Sequence, residues 1–271
     1  MQEVFLRRCP SGGTVRHPDL PELQEPLPVR LPVRPEPTRP AVLRIHLQSG
    51  PIKSPKVPWM YEPQLVDQNN DPEMTPFTSC DNLEEIKVNQ SIKRDYSNSD
   101  YTKGHLNPVM HQSTLEDKTA TFTLTNIVPQ TEHSNRESWN VYEHLVNHTL
   151  SRFCTGDAFI VTGVLPYQQE KWIKDNNNNN RVAIPEYMWS AYCCTKHKDN
   201  NVALKGSFPF PAFAALGRNE AAGDLVPVNP QSSELNRHYA VNLISLQELQ
   251  TQLSQRFNSE VQIFHRDCQP G

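Results

Sequence analysis

Three polar motifs, packed between residues 101 and 143, constrain the fold of this chain more than any other feature. They are Tyr101–Pro108, Thr123–Gln130 and Asn135–Glu143. Together they supply a histidine that follows a glycine, two separated asparagines and a glutamate. If these side chains act together, consecutive elements of secondary structure must bring them to one place.

The first two motifs predict a pair of strands. Thr119–Asn126 alternates threonine with other residues in a way that is typical of a strand, and Pro129 and Gln130 should end it. The spacing allows an earlier strand to end near His105 and the next strand to return beside it. Asn126 would then lie next to His105, although an asparagine at this position could also be a simple turn residue.

The third motif predicts a helix of about four turns that starts at Asn135. Ser134 can act as its N-cap, with Glu137 three residues later completing a capping box. An apolar stripe follows at helical spacing: Trp139, Tyr142, Leu145, Val146 and Leu150. Asn135 and Glu143 then lie in one row along the helix, about two turns apart. The whole stretch is predicted to fold as strand, loop, strand and helix.

The residue types in these elements suit hydrolysis of a phosphodiester with one hydrated metal ion. A neutral histidine with a pKa near 7, such as His105, can take a proton from water at working pH. Magnesium needs only one or two protein oxygens, so the amide oxygen of Asn135 would be enough, and Glu143 would hold the metal's waters. Taken singly, Asn135 could be a helix-start residue and Glu143 an exposed charge, but their register favours the metal site.

These motifs resemble those of the DNA/RNA non-specific endonucleases, which are nucleases with a ββα-metal site. Pro58–Gln64 and Gly104–Gln112 are most similar to the vertebrate endonuclease domain-containing 1 subgroup, and the similarity extends from Lys53 to Cys268. The resemblance implies an α+β fold of the ββα-metal (His-Me finger) type. It also implies Mg²⁺ or Mn²⁺ as the cofactor.

The resemblance implies roles for four residues: His105 as general base, Asn135 as direct metal ligand, and Asn126 and Glu143 as supports of the metal and phosphate environment. The family's Arg-Gly-His is Lys103-Gly104-His105 here, and its preceding aspartate is Thr102. Lysine can meet a phosphate as a point charge, without the bidentate fork of arginine. Lys103 and Arg136 are the candidate substrate-binding residues.

The rest of the sequence completes an α+β domain whose mostly antiparallel sheet is flanked by helices. Ala158–Leu165 is a continuous apolar run, typical of a buried strand, and Ser245 should cap a short amphipathic helix. The asparagine run at residues 176–180 predicts a loop. Further strands are predicted at Val182–Ile184 and Tyr187–Cys194, at Phe208–Leu216 as strand or loop, and at the edge in Val261–Phe264.

The N-terminal region is dominated by proline, with nine prolines between residues 10 and 40. Proline removes backbone donors and restricts the residue before it, which predicts an extended or disordered tail over residues 1–50 and a nuclease-like domain over residues 51–271. The arginine-containing strand that family members carry ahead of Pro58–Gln64 is not visible. Its absence and the replacements at Lys103 and Thr102 support an alternative interpretation, a catalytically silent nuclease-like fold that serves as a secreted binding module.

Composition adds few limits. The net charge of −4 provides no global basic field, so nucleic-acid binding would depend on local cations. No apolar run approaches the ~20 residues of a membrane helix, and the N-terminus lacks the apolar core of a signal peptide. The six cysteines and the sequons at Asn89 and Asn147 nevertheless favour a secretory-pathway origin.

The cysteines and the other histidines have simpler interpretations. Disulfide pairing is expected among Cys154, Cys193, Cys194 and Cys268, with the connectivity open. A zinc site at the adjacent cysteines with His197 is a weaker alternative, because the usual ligand spacing is missing. Four histidines are expected to be solvated: His111, His133, His144 and His148.

The leading interpretation is a Mg²⁺-dependent endonuclease that cuts DNA and RNA with little sequence preference. Contacts to the phosphodiester backbone carry no base information, which fits low selectivity. DNA and RNA are the expected partners, no membrane span is expected, and the oligomeric state is left open.

Overall fold

The computed structural model describes residues 41–45, 54–79, 81–97, 99–197, 211–219 and 241–264. Its strands are β1 (Ala41–Ile45), β2 (Met60–Tyr61), β3 (Thr75–Pro76), β4 (Thr102–His105), β5 (Ile127–Gln130), β6 (Ala158–Lys174), β7 (Asn180–Cys194), β8 (Ala212–Arg218) and β9 (Val241–Ile244). Its helices are α1 (Leu83–Asn89), α2 (Lys93–Ser97), α3 (Leu115–Ala120), α4 (Trp139–Phe153) and α5 (Leu246–Phe257). The fold is α+β, as predicted.

A five-stranded antiparallel sheet in the order β1-β6-β7-β8-β9 forms the centre of the described structure. Its side chains alternate between the two faces, as the two-residue period of a strand requires. Ile160 and Tyr192 pack with α4 residues on one face, while Val161 and Ala191 pack with α5 residues on the other. Because both faces are covered, Ala158–Leu165 is apolar except for the buried Thr162, which confirms the predicted buried strand.

The two longest helices each bury one apolar stripe against this sheet. The buried apolar residues are Trp139, Tyr142, Val146 and Leu150 in α4, and Leu246, Leu249 and Leu253 in α5. Burying one leucine fully contributes roughly 2 kcal/mol. Ser245 caps α5 as predicted, because its hydroxyl accepts a hydrogen bond from the Glu248 N–H at 3.1 Å. None of the described helices has the length and apolarity needed to cross a membrane.

A second, two-stranded sheet pairs β4 with β5 and leads into α4. The pairing is antiparallel, with Thr102 opposite Gln130 and His105 opposite Ile127. β4 ends at His105, where the sequence predicts the end of a strand. The order of strand, loop, strand and helix is therefore confirmed, and it is the unit that carries the predicted site.

The prediction of a strand at Thr119–Asn126 is wrong. Thr114 caps α3, because its hydroxyl accepts a hydrogen bond from the Asp117 N–H at 3.0 Å, and α3 takes up the start of this segment. β5 begins only after the segment and includes Pro129 and Gln130, which were expected to end it. The threonine alternation imitates a strand, whereas the cap and the acidic first turn of α3 favour a helix.

α4 is preceded by a π-helical turn at Ser134–Ser138, and the helical segment begins two residues earlier than that turn. Ser134 is not the N-cap, because its own N–H donates to Thr131 Oγ1 at 3.2 Å. The predicted capping box is therefore wrong. Glu137 instead pairs with His133 at 2.9 Å, so this histidine is not simply solvated either. Single π-helical turns are rare and often accompany functional sites.

β7 runs unbroken through Pro185, where the sequence predicts two separate strands. Pro185 lies opposite Pro166 of β6, at a place where the register of the ladder shifts. Such a bulge accommodates proline, because the regular hydrogen bonds that it would interrupt are already absent. The asparagine run forms the tip of this long hairpin, between Lys174 and Asn180, which confirms the predicted loop.

Two predictions near the C-terminus need correction. β8 is Ala212–Arg218, later than the predicted Phe208–Leu216, whose first three residues lie outside the described residues. Val261–Phe264 forms no strand. The Ile263 N–H instead donates to Gln250 Oε1 of α5 at 2.9 Å, so this segment packs on the helix rather than on the sheet edge.

The structure contains an N-terminal strand that the sequence did not reveal. β1 pairs antiparallel with β6, beginning with Ala41 opposite Thr162. The expectation that no arginine-containing strand precedes Pro58–Gln64 is therefore wrong, since β1 includes Arg44. β1 lies inside the predicted tail. The rest of residues 1–50 lies outside the described residues, so the tail and the domain boundary stay predictions.

A disulfide links Cys154, just after α4, to Cys194 at the end of β7. Both cysteines belong to the predicted pairing set, so that part of the prediction is confirmed. Cys193 is also disulfide-bonded, which leaves neither adjacent cysteine as a thiolate ligand for zinc. Cys268 lies outside the described residues.

Candidate active site

A cleft of about 280 Å³ lies between α4, the π-helical turn and the loop that follows β4. Three of the predicted site residues line it together: His105, Asn135 and Glu143. The other lining residues are Ser54, Pro108, Val109, Met110, Lys118 and Asn140. The ββα unit therefore gathers side chains that are well separated in the sequence.

His105 stands at the end of β4 and packs against two aromatic rings. The centroid of its imidazole is 5.3 Å from that of Trp59 and 5.5 Å from that of Phe122. Burial lowers the pKa of His105 to about 4, below the value near 7 expected from the sequence. The imidazole is therefore uncharged at neutral pH and able to accept a proton, as a general base must be.

Asn135 lies in the π-helical turn and is anchored to β4 through its amide nitrogen. Nδ2 donates to Thr102 Oγ1 at 2.9 Å and to the Lys103 carbonyl at 3.4 Å. None of the hydrogen bonds among the described residues uses Asn135 Oδ1. An amide that is held by its nitrogen and keeps its oxygen available fits a hydrated Mg²⁺, which takes few protein oxygens.

Glu143 supplies the carboxyl group of the cleft from α4. Burial raises the pKa of Glu143 to about 8, and a hydrogen bond with Trp139 opposes this shift. The carboxyl is thus largely protonated at pH 7 in the metal-free protein, and a nearby cation would favour its charged form. The described residues contain no group of three or more His, Cys, Asp or Glu side chains able to hold an ion.

Asn126 directly precedes Ile127, the residue opposite His105, and its amide is occupied by backbone groups. Its Oδ1 accepts a hydrogen bond from the Asn107 N–H at 3.0 Å. Its Nδ2 donates to the Asn107 carbonyl at 3.1 Å and to the Thr121 carbonyl at 3.0 Å. Asn126 is absent from the described lining of the cleft. These contacts hold the loop that follows His105 and indicate a positioning role.

The two predicted substrate-binding cations lie outside the described lining of the cleft. Lys103 places Nζ over the ring of Tyr96, 5.3 Å from its centroid. Burial and the nearby charge of Lys93 lower the pKa of Lys103. Arg136 pairs with Glu132 at 2.8 Å on an exposed part of the helix. Both stay candidates for contacts with substrate beyond the cleft.

Four side chains at the cleft were not predicted as site residues from the sequence. Lys118, 6% exposed, and Asn140 line it, while Trp59 and Phe122 pack on His105. Trp59 belongs to the Pro-Trp-Met-Tyr motif that carries part of the family resemblance, so a signal for it was available. Lys118 comes from α3, which the sequence did not reveal as a helix, and no pattern marks it.

His111 is not the solvated histidine that the sequence predicts. It is 3% exposed, and its Nε2 donates to the Glu143 carbonyl at 3.2 Å. Burial lowers the pKa of His111 to about 4. It thereby ties the loop after His105 to α4 beside Glu143. His144 and His148 are exposed, as expected.

Buried amides hold the ββα unit in place behind the cleft. Gly104 leaves room for the side chain of Gln130, because a Cβ at this position would lie 1.8 Å from Gln130 Oε1. Gln130 in turn donates to Ser134 Oγ at 3.1 Å. Asn219, which follows β8, donates to the Pro129 carbonyl at 2.9 Å and so ties β5 to the main sheet. The glycine of the motif is explained by this close packing.

Comparison with known proteins finds a family and individual relatives. The model of the family described as DNA/RNA non-specific endonuclease matches residues 56–253. The Homo sapiens endonuclease domain-containing 1 protein is 34% identical over 141 residues, which cover 50% of this chain and 26% of that protein. A nuclease from Nostoc sp. is 26% identical over 178 residues, covering 65% of this chain and 56% of the relative. The chain thus spans about a quarter of the human relative's length.

Similarity to a solved structure is weaker than these sequence matches. A chain in the crystal structure of the EndoG/EndoGI complex matches with a TM-score of 0.41 and 18% identity, covering 60% of this chain and 61% of that chain. Assignment to a family therefore rests on the sequence match over residues 56–253, and the expected resemblance to the endonuclease domain-containing 1 proteins is confirmed.

Proposed function

This chain belongs to the DNA/RNA non-specific endonuclease family, and from that membership we propose that it hydrolyses phosphodiester bonds in DNA and RNA with little sequence specificity. One observation carries the proposal: His105, Asn135 and Glu143 line a single cleft. Each of the three has the chemistry that its proposed role needs, and each is held by contacts of the ββα unit.

His105 is the general base in this proposal. Its imidazole is uncharged at neutral pH because burial lowers its pKa, so it can remove a proton from the attacking water. Nε2 is out of solvent and has no hydrogen-bond partner among the described residues, so Nδ1 is the nitrogen proposed to take this proton. A positioned base of this kind contributes about 10²–10⁴-fold to a rate.

Nucleases of this family are metal-dependent, and the ion proposed here is Mg²⁺, with Mn²⁺ as a substitute. Bound in the cleft, it would polarise the scissile phosphate and stabilise the leaving 3′-oxygen. Asn135 would contribute Oδ1, and Glu143 would accept hydrogen bonds from coordinated water. Asn126 would keep the loop after His105 in place.

Cations near the cleft would bind the phosphodiester backbone. Lys118 lines the cleft itself. Lys103 on β4 and Arg136 on the helix surface lie beside it and would meet flanking phosphates. Contacts of this type carry no base information, so little sequence preference is expected.

A secretory-pathway location is the proposed setting. The Cys154–Cys194 bond and the disulfide-bonded state of Cys193 support it, because disulfides persist mainly in oxidising compartments. Thiol alkylation of the protein in intact cells, before any reduction, tests this point. Cysteines that react as free thiols would argue against it.

Cleavage of supercoiled plasmid and of single-stranded RNA by the purified full chain tests the proposed function. With Mg²⁺ the wild type should cut both substrates, and EDTA should stop cleavage. His105→Ala should lower the rate by about 10²–10⁴-fold. The matched control is His144→Ala, an exposed histidine of α4, which should cut like the wild type.

Folded wild-type protein that cuts no faster than His105→Ala would overturn the proposal and favour the catalytically silent binding module. Replacement of the family's aspartate by Thr102 was one reason to consider that alternative. Thr102 nevertheless accepts a hydrogen bond from Asn135. The replacing residue therefore still supports the proposed metal ligand.

A further inference from the structure

One nitrogen of the His105 imidazole, Nε2, has an unusual environment. Nε2 is buried and has no hydrogen-bond partner among the described residues, although buried polar atoms normally have one. The groups packed on the imidazole are the rings of Trp59 and Phe122, with centroids at 5.3 Å and 5.5 Å. The planes of His105 and Phe122 meet at 81°, which is an edge-to-face arrangement.

The two rings are fixed relative to each other. Their own centroids are 5.3 Å apart, and the Met60 N–H, next to Trp59, donates to the Phe122 carbonyl at 2.9 Å. Gln90, 1% exposed, brackets the backbone of Glu62 by accepting from its N–H at 3.0 Å and donating to its carbonyl at 2.9 Å. The segment that carries Trp59 is thus anchored at Met60 and at Glu62, the first and third residues after it.

We infer that Trp59 and Phe122 are positioning residues that set the tautomer of His105, holding the proton on Nε2 and leaving the lone pair of Nδ1 for the cleft. The face of an aromatic ring carries partial negative charge, so it attracts an N–H group and repels a nitrogen lone pair. The tautomer with hydrogen on Nε2 is therefore favoured beside these rings. A carboxylate or a carbonyl usually orients a functional histidine in this way.

This inference rests on the proposed function in one respect, because a lone pair on Nδ1 serves catalysis only if His105 is the general base. The tautomer itself is a property of the folded chain and can be observed without metal or substrate. The lowered pKa of His105 agrees with its enclosure by these rings, since burial is its cause.

The test is a long-range ¹H–¹⁵N NMR correlation spectrum of the full chain labelled with ¹⁵N-histidine at neutral pH. The His105 signals are assigned as those that disappear in His105→Ala. Wild-type His105 should carry its proton on Nε2. Trp59→Phe keeps a ring face and should retain this state, whereas Trp59→Leu should change the tautomer ratio by about tenfold. The matched control is Trp172→Leu, a half-buried tryptophan of β6 outside the described lining of the cleft, which should change nothing.

Cleavage kinetics on the same proteins complete the test. Trp59→Leu should lower kcat with little change in KM, and Trp59→Phe should restore most of the rate. A wild-type His105 with its proton on Nδ1 would overturn the inference. A folded Trp59→Leu protein with the wild-type tautomer ratio of His105 would also overturn it. If Trp59→Leu does not fold, Phe122→Leu is tested instead. Full cleavage by His105→Ala would instead refute the proposed function, whatever the spectra show.

Discussion

The cleft differs from a second buried polar region in how completely its charges are paired. That second region is the ion pair of Arg181 and Asp95, near the tip of the β6–β7 hairpin. Near the tip, Arg181 of β7 donates from Nε to Asp95 Oδ1 at 3.0 Å and from Nη2 to Oδ2 at 3.1 Å. Arg181 also donates to the Lys87 carbonyl at 2.8 Å. Both side chains are almost inaccessible to solvent. This region connects α2 to the hairpin, and both of its buried charges, those of Arg181 and Asp95, are paired.

The cleft shows the opposite arrangement. Nε2 of His105 has no hydrogen-bond partner among the described residues, and burial raises the pKa of Glu143 to about 8. The charged forms of both groups are therefore disfavoured in the metal-free protein. Buried polar groups therefore serve the fold where they are paired. Where they are left available for a cation or a proton, they serve chemistry at some cost in stability.

The largest effect is expected from Asp95→Ala, and it should fall on stability alone. Removal of the carboxylate leaves Arg181 buried without its partner, which costs about 3–5 kcal/mol of unfolding free energy. Urea unfolding measures this change, and cleavage assays should show a nearly unchanged kcat for the folded fraction. Glu132→Ala, at an exposed pair with Arg136, is the control and should cost less than about 1 kcal/mol. If Asp95→Ala has the same unfolding free energy as the wild type, the contrast between the two regions disappears.

Glu143→Gln should lower cleavage by about 10- to 100-fold while stabilising the metal-free protein. The pKa of Glu143 is about 8 in the folded chain and 4.5 ordinarily, so between these values the folded state binds more protons. Wild-type unfolding free energy therefore falls as pH rises through this window, and glutamine, which cannot ionise, escapes the loss.

Melting temperatures of both proteins without metal, near pH 5 and near pH 8, check this prediction. The two proteins should melt at similar temperatures at the lower pH, and the variant should melt at a higher temperature at the higher pH. Equal melting temperatures at both values would show that the Glu143 carboxyl is not desolvated.

Lys118→Met should lower kcat/KM by about tenfold, and Lys103→Met by less. Lys118 lines the cleft and is buried, whereas Lys103 lies over the ring of Tyr96. Methionine preserves the packing of either lysine stem, so the comparison isolates the charge. Steady-state cleavage of a short single-stranded DNA measures both variants. A larger loss of kcat/KM in Lys103→Met than in Lys118→Met would make Lys103 the main phosphate contact, as the family motif implies.

Arg136→Ala should have the smallest effect, with a cleavage rate within about twofold of the wild type, because its exposed pair with Glu132 is weak. If Arg136 contacts a flanking phosphate, Arg136→Ala should make the slope of log affinity against log salt concentration about one unit less steep. DNA binding by His105→Ala, with and without Arg136→Ala, measures this slope without cleavage. An unchanged slope would remove Arg136 from the substrate contacts.

How far the fold could be predicted depended on whether local signals determine each element. α5 was predictable because Ser245 and a leucine stripe mark it, and α4 because its apolar stripe is long. β1 was hidden beside a proline-rich segment, since its place depends on pairing with β6 far along the chain. Thr119–Asn126 misled because threonine alternation outweighed the less obvious cap at Thr114.

The site followed the same rule. The meeting of His105, Asn135 and Glu143 could be predicted because local patterns mark the end of β4 and the course of α4. Lys118 and Phe122 reach the same place through α3 and the turn after it, whose local signal, the cap at Thr114, was outweighed by the threonine alternation. Tertiary packing decides which side chains line a cleft, and one sequence does not reveal that packing.

Magnesium binding, measured by calorimetry on the same proteins whose cleavage is assayed, tests the central claim most directly. That claim assigns the metal to Asn135 and the proton transfer to His105. His105→Ala should bind Mg²⁺ like the wild type but fail to cleave, whereas Asn135→Ala should lose both binding and cleavage. Wild-type magnesium affinity in Asn135→Ala, or its loss in His105→Ala, would contradict this division of roles.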